Sequence, residues 1–461
     1  MMRSLYAGVA GLKTHQTRMD VIGNNIANVN TTAYKSQSMT FGDLMYQTTQ
    51  SASGANATTG VGGVNARQIG LGSKTGAIKT AITTQGASQT TNDPFDMMIT
   101  GDSFFIVSNG NDNFFTRDGS FYVDGMGNLC MTSNGYNVMG WQVDPNDESA
   151  IKQDTVTALR VMTEENLTYP SEATTQARIS GILDKNDTNV NSEDGKIINM
   201  EIFDNKGYKY TVKLSVHAED ADAGEFSVKL DDVLDSEGES IFYNKDGSLK
   251  DGVTESDIKL ADKNLGAKDG VPLIYDASTG AFKNVNGEDV NKIDLVFNTD
   301  TYPSFKTVTI DFTATSNLNN NGSSTVTAVR GDDVGNGAGR KVGEMSGINV
   351  QKDGMIYATY DNGQSRLLGQ IAVATFANAS GLAKEGDNLY SATMNSGEFD
   401  GIGVDITTGG GYMNTGVLEM SNVDLSSEFT EMITTQRGFQ ANSRIITVSD
   451  TLLEELTNLK R

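Results

Sequence analysis

The residues of this 461-residue chain whose side chains could carry catalysis fall in no recognisable catalytic spacing. The two histidines, His15 and His217, are too few for a His-based triad or a His-rich metal site. No G-x-x-x-x-G-K-[ST] phosphate loop occurs, and the glycines of 54–72 do not stand between a strand and a helix. Carboxylates are so plentiful that an acid–base pair could be drawn anywhere, which makes such a pair uninformative. Residues 231–239 (DDVLDSEGE) have the composition of a calcium loop without its D-x-[DN]-x-[DN]-G order, and read as a solvated turn. Cys130, the only cysteine, excludes an internal disulfide and reads as a packed strand residue, with a cross-linking thiol the lesser alternative. No cofactor and no metal is implied. The chain reads as structural.

The elements that would position such residues follow from composition and periodicity. Fifty Gly against five Pro, with a hydrophobic fraction of 37 %, favour short strands joined by tight turns. The length calls for two or three domains. A net charge of −24 repels nucleic acid and anionic lipid, and residues 151–340 alone hold 33 acidic against 19 basic residues. The first twenty residues lack the apolar run and cleavage site of a signal peptide, and no segment reaches membrane-spanning length.

The two ends differ from everything between them. Leu5, Leu12, Met19 and Ile26 recur every seven residues, with Val9, Ile22 and Val29 beside them and Ser4 as a candidate N-cap. Leu425, Met432, Phe439, Ile446 and Leu453 repeat likewise, flanked by Phe429 and Leu456, after Asp424 or Ser426 as cap. The spacing predicts two terminal helices that pair, with apolar flanks left for another partner. The expected layout is nested: helix 1–46, a Gly/Ser/Thr-rich arm at 47–75, β scaffold at 76–146 and 343–422, an acidic β insert of one or two subdomains at 147–342, and helix 423–461. The fold class is therefore mainly β, built of antiparallel domains, with paired N- and C-terminal helices of coiled-coil type.

Residues 4–37 (SLYAGVAGLKTHQTRMDVIGNNIANVNTTAYKSQ), centred on Asn24, Asn25, Ile26, Ala27, Asn28, Tyr34 and Lys35, resemble the rod and hook family of the bacterial flagellum. So do NDPFDMMITGDSFFIV at 92–107 and the segment 422–461. The resemblance implies an exported, self-assembling structural protein, and its large insert implies the hook rather than the distal rod. It implies a homopolymer in a cell-surface appendage, with distal-rod, hook-cap and hook–filament junction proteins as neighbours. Export through the flagellar type III apparatus without a cleaved signal is implied too, with the ends ordering on assembly. A secreted β-rich adhesin is the alternative from another class, and a two-carboxylate glycan hydrolase the third.

Overall fold

The computed structural model describes residues 2–459 except 55–59, 61, 145–146 and 288–289, so part of the 47–75 arm and residues 460–461 of the C-terminal segment lie outside the described residues. Two compact units are present. The first comprises Met1–Asn166, Gly347–Ala358 and Ser365–Arg461; the second comprises Leu167–Ser346 and Thr359–Gln364. Residues 147–166, assigned above to the insert, thus belong to the first unit. Strand Thr157–Ala158 pairs with Asn137–Asp144, and Val156 and Leu159 are buried, which ties that stretch to the scaffold.

In the first unit, helices span Met2–Ala27 and Leu425–Asn458. Asp424 caps the second, accepting from the N–H groups of Ser426 and Ser427. Ser4 lies inside the first helix rather than at its cap. Two antiparallel ribbons follow the N-terminal helix, Gln37–Asp43 with Ser73–Thr80 and Tyr46–Gln50 with Arg67–Gly70. The scaffold core is Phe104, Ile106, Phe115, Trp141 and Tyr390, gathered by strands Phe104–Ser108, Asn113–Thr116 and Asn137–Asp144. Asp118-Gly119, expected as a turn, instead runs close against Met97, which admits only glycine, since a Cβ there would lie 1.6 Å from the Met97 carbonyl oxygen.

The second unit packs a six-stranded and a five-stranded sheet around one core. Strand Lys196–Phe203 shows the cause: Ile198, Met200 and Ile202 point inward, while Ile197 and Glu201 alternate outward. Residues from both sheets, among them Val212, Phe226, Leu295 and Ile310, belong to that single cluster, so the unit is one domain. One pairing departs from the antiparallel rule. Gln176–Leu183 runs parallel to Val308–Asn317, which the long intervening chain makes possible. Residues 231–239 are only partly a turn: strand Glu225–Leu234 reaches into them, and Asp235 accepts from the N–H groups of Glu237 and Glu239.

Two buried carboxylates staple this unit. Asp184 accepts from the N–H groups of Asn186 at 2.9 Å, Asn320 at 2.7 Å and Gly322 at 2.8 Å. Asp187 accepts from Asn189 at 2.9 Å and Ser324 at 2.7 Å. Backbone donors hold the Asp184 carboxyl below its ordinary range, chiefly Asn186 and Asn320. At Asp187 burial pushes upward, but the donors together outweigh it and the pKa is lowered. A depressed folded pKa contributes stability that is present above the unfolded value, about 3.9, and is lost as pH falls through the folded value. Asp187→Asn should therefore cost about 1–3 kcal/mol at pH 7. The gap from the parent should shrink steadily below pH 4 in urea denaturation followed at several pH values. A gap independent of pH would show that the carboxylate charge is not what holds the turn.

Candidate assembly interface

The two terminal helices lie antiparallel. Ser4 Oγ stands 3.5 Å from Ser449 Oγ, Arg18 donates to Glu431 at 3.0 Å, and Asn25 Nδ2 donates to Glu428 at 2.8 Å. Between these points glycines make the contact. A Cβ on Gly11 would lie 2.8 Å from the Asn442 side chain, and one on Gly438 would lie 2.6 Å from the His15 ring. A 34-residue helix extends ~51 Å and its 26-residue partner ~39 Å. With Ser4 level with Ser449, Leu452, Leu456 and Leu459 therefore run past the start of the N-terminal helix, and all three are exposed.

Where the helix pair meets the β scaffold, the motif residues singled out above form a hydrogen-bonded knot. Asn25 is fully buried and satisfied on both faces of its amide. Its Nδ2 donates to the Gln37 carbonyl at 2.7 Å as well as to Glu428, and its Oδ1 accepts from the Gln37 N–H at 2.9 Å and from the Tyr34 hydroxyl. Asn24 donates to that hydroxyl at 3.0 Å, and Asn28 donates back to the Asn24 carbonyl at 2.9 Å. Ala33 holds a left-handed φ of 54°, costly for a residue with a Cβ, and its N–H donates to the Glu419 carbonyl at 2.7 Å. Ile26 and Ala27 complete the last turn of the helix.

Beneath the knot lies a buried charge cluster. Lys35 Nζ donates to Glu419 Oε1 at 2.6 Å and to the Thr84 carbonyl at 2.7 Å. Arg117 approaches Glu419 Oε2 at 3.9 Å, donates to the carbonyls of Ile99 and Gly101, and lies over the Phe104 ring. Burial lowers the pKa of both cations, and Glu419 partly restores it. Asn422 adds a neutral bridge, accepting from the Ser36 N–H at 2.7 Å and donating to the carbonyls of Ala81 and Thr84. Lys35 was within reach of sequence reading; Glu419, Arg117 and Asn422 were not, since each is an isolated polar residue with no local pattern.

Three family profiles match the stretches that build this site. They are "Flagella basal body rod protein" over residues 5–35, "Flagellar hook protein FlgE/F/G D1 domain" over 98–180, and "Flagellar basal body rod FlgEFG protein C-terminal" over 414–459. The chain is 36 % identical to the flagellar hook protein FlgE of Borreliella burgdorferi, with all of both chains covered. It is 33 % identical to FlgE of Treponema pallidum and 29 % identical to the flagellar basal-body rod protein FlgG of Bacillus subtilis, again with full coverage of both. The chain belongs to the flagellar hook and rod protein family. This is a family of structural proteins, and among the described residues no helix is long and apolar enough to cross a membrane.

In this hook and rod chain the large heptad residues lie mostly off the seam where the helices meet. Ile22 is buried and Ile446 abuts Gly8, but Val9, Leu425, Phe429 and Leu456 are exposed. Leu5, Leu12, Met19, Ile26, Met432, Phe439 and Leu453 are half-buried, as is Val29, which falls past the end of its helix. The seam is too close for them because small residues set its width. Within one chain the two helices are paired, as their spacing predicts. Cys130 is buried in strand Leu129–Met131 with its thiol pushed up by burial. His15 lies tilted against the Phe41 ring, centroids 5.3 Å apart, and His217 lies 3.0 Å from Ser215 Oγ.

Gly11→Val should force the seam apart at Asn442. Amide exchange over residues 2–22 should accelerate at least tenfold while the strands around Trp141 keep their protection. Unchanged exchange in the helices would mean that close approach does not hold the pair.

Proposed function

We propose that the chain is the structural subunit of a flagellar hook, polymerising with copies of itself into a tube. One observation carries this reading. The terminal helix pair leaves Val9, Phe429, Ile433, Val448, Leu452 and Leu456 uncovered, each more than 40 % exposed. Monomeric proteins rarely keep such a surface. Covering one large apolar side chain contributes roughly 1.5–3 kcal/mol, and repetition along a tube multiplies that gain. The occupant of this face is the terminal helix pair of neighbouring copies.

The neighbours of such a tube are distal-rod, cap and junction proteins, and its subunits leave the cell through the type III apparatus without a cleaved signal. A hook must bend as well as transmit torque. The acidic insert suits that need, because contacts between like-charged polar surfaces are weak and salt-sensitive. The role calls for no catalysis. The similarity to FlgG keeps a distal-rod subunit as a second reading, and it predicts straight tubes where a hook gives curved, flexible ones.

Electron microscopy of the purified chain should show tubes. Phe429→Asp and Leu456→Asp place charges on residues already half-exposed, so the monomer's melting temperature should move by less than about 2 °C. Polymerisation should nonetheless be abolished, because burying an unpaired carboxylate costs several kcal/mol. Tubes formed normally by both variants would remove the helix face from the interface.

A further inference from the structure

The cluster of Lys35, Glu419 and Arg117 asks for an explanation that stability does not supply. Two cations share one carboxylate with all three side chains at most 1 % exposed. Glu419 Oε2 and Arg117 Nε have no hydrogen-bond partner among the described residues. Desolvating three charges is costly, and apolar residues of similar volume commonly replace such clusters without loss of stability. Its position is more telling. Lys35 follows the N-terminal helix, which ends at Ala27, and Glu419 precedes the C-terminal helix, which begins at Leu425. Both strands of chain that join the helix pair to the scaffold are therefore fastened at one point. The third member, Arg117, belongs to the scaffold and is fixed by the carbonyls of Ile99 and Gly101.

We propose that Lys35, Glu419 and Arg117 form a register lock, which sets the terminal helix pair at one angle and height on the β scaffold so that successive subunits repeat regularly. Apolar contacts tolerate small slips, whereas a charged contact of 2.6 Å beside a fixed backbone donor, the Gly86 N–H at 2.9 Å, does not. Being buried, the cluster touches no neighbour. Its effect on a polymer passes through the geometry of its own subunit, so these are positioning residues. The proposal rests on the hook reading above.

The test separates stability from geometry. Lys35→Met alone leaves Glu419 buried without its nearest cation and should lower the melting temperature by on the order of 10 °C. The triple variant Lys35→Met, Arg117→Met, Glu419→Gln removes every charge and keeps the acceptor for Gly86. It should melt within about 3 °C of the parent, yet its tubes should lose a regular subunit repeat in averaged micrographs. Spin labels on Gln16→Cys and Asn113→Cys should report a broadened distance distribution in the triple variant's monomer and a narrow one in the parent. Regular tubes from the triple variant would overturn the lock. So would a melting temperature as low as the single variant's, which would make the cluster a stability element. If the parent forms no tubes, the hook reading fails. The spin-label distances then decide the lock alone, and equal widths overturn it.

Discussion

Two helices approach only as closely as the side chains between them permit, and Gly8, Gly11 and Gly438 permit a close approach here. Much else follows from that spacing. Small residues dominate that seam, with Ile22 and Ile446 the large ones admitted; Val9 and Phe429 stay exposed beside it, Leu456 runs past the partner helix, and apolar surface is left on the outside. The same spacing brings the two ends of a chain of hundreds of residues to one place. It therefore allows a large β insert to be carried between them without disturbing the pair. A wide, leucine-filled seam would give a stabler hairpin and a duller surface.

The close approach has to be held at one register, and the polar knot at the helix ends does that work. Asn25 has four hydrogen-bond neighbours: both backbone polar groups of Gln37, the Tyr34 hydroxyl and Glu428. Burial together with the nearby Glu428 charge raises the Tyr34 pKa, so the Tyr34 hydroxyl keeps its proton and donates to Asn25, and burial also raises the pKa of Glu428. An amide satisfied on every side specifies position in a way an apolar residue does not. Ala33 carries strained backbone in the same turn, which persists because its N–H, its burial and the adjoining bonds all demand one conformation.

Much of this architecture was legible in the residues. The terminal helices and the strand around Ile198–Ile202 follow from periods of 3.6 and 2, whereas Phe104–Ser108 is buried on both faces and the first helix ends at Ala27, short of Val29. The nested order followed from helical ends on a β chain. Other features left no local trace. Gly8, Gly11 and Gly438 carry no side chain to mark a seam in the sequence, whereas the heptad leucines do. The parallel pairing of Gln176–Leu183 with Val308–Asn317 depends on residues far apart in the chain. Phe242, buried within an Asp/Asn/Gly-rich stretch, looks like part of a solvated loop until the surrounding strands are seen to cover it. Glu419 and Arg117 are single charges whose meaning exists only in three dimensions.

The charge of the chain bears on how a polymer of it could hold together. Each copy carries −24, and copies stacked at protein spacing repel, though salt confines that repulsion to about 8 Å at physiological ionic strength. Attraction must therefore be short-ranged and local. Electrostatic pairing across copies is a poor source of it, because the surface ion pairs seen here, such as Lys185 with Asp222 or Lys245 with Glu239, are solvent-exposed and weak. Burial of the helix faces is short-ranged, insensitive to the sign of charge and strengthened by salt. The terminal helices carry a run of uncovered apolar side chains, while the insert keeps its large side chains mostly in its own core and carries most of the excess acid. Cohesion and compliance are thus assigned to different parts of one chain. A tube built this way can be strong along the helices while its acidic surfaces remain free to slide past one another.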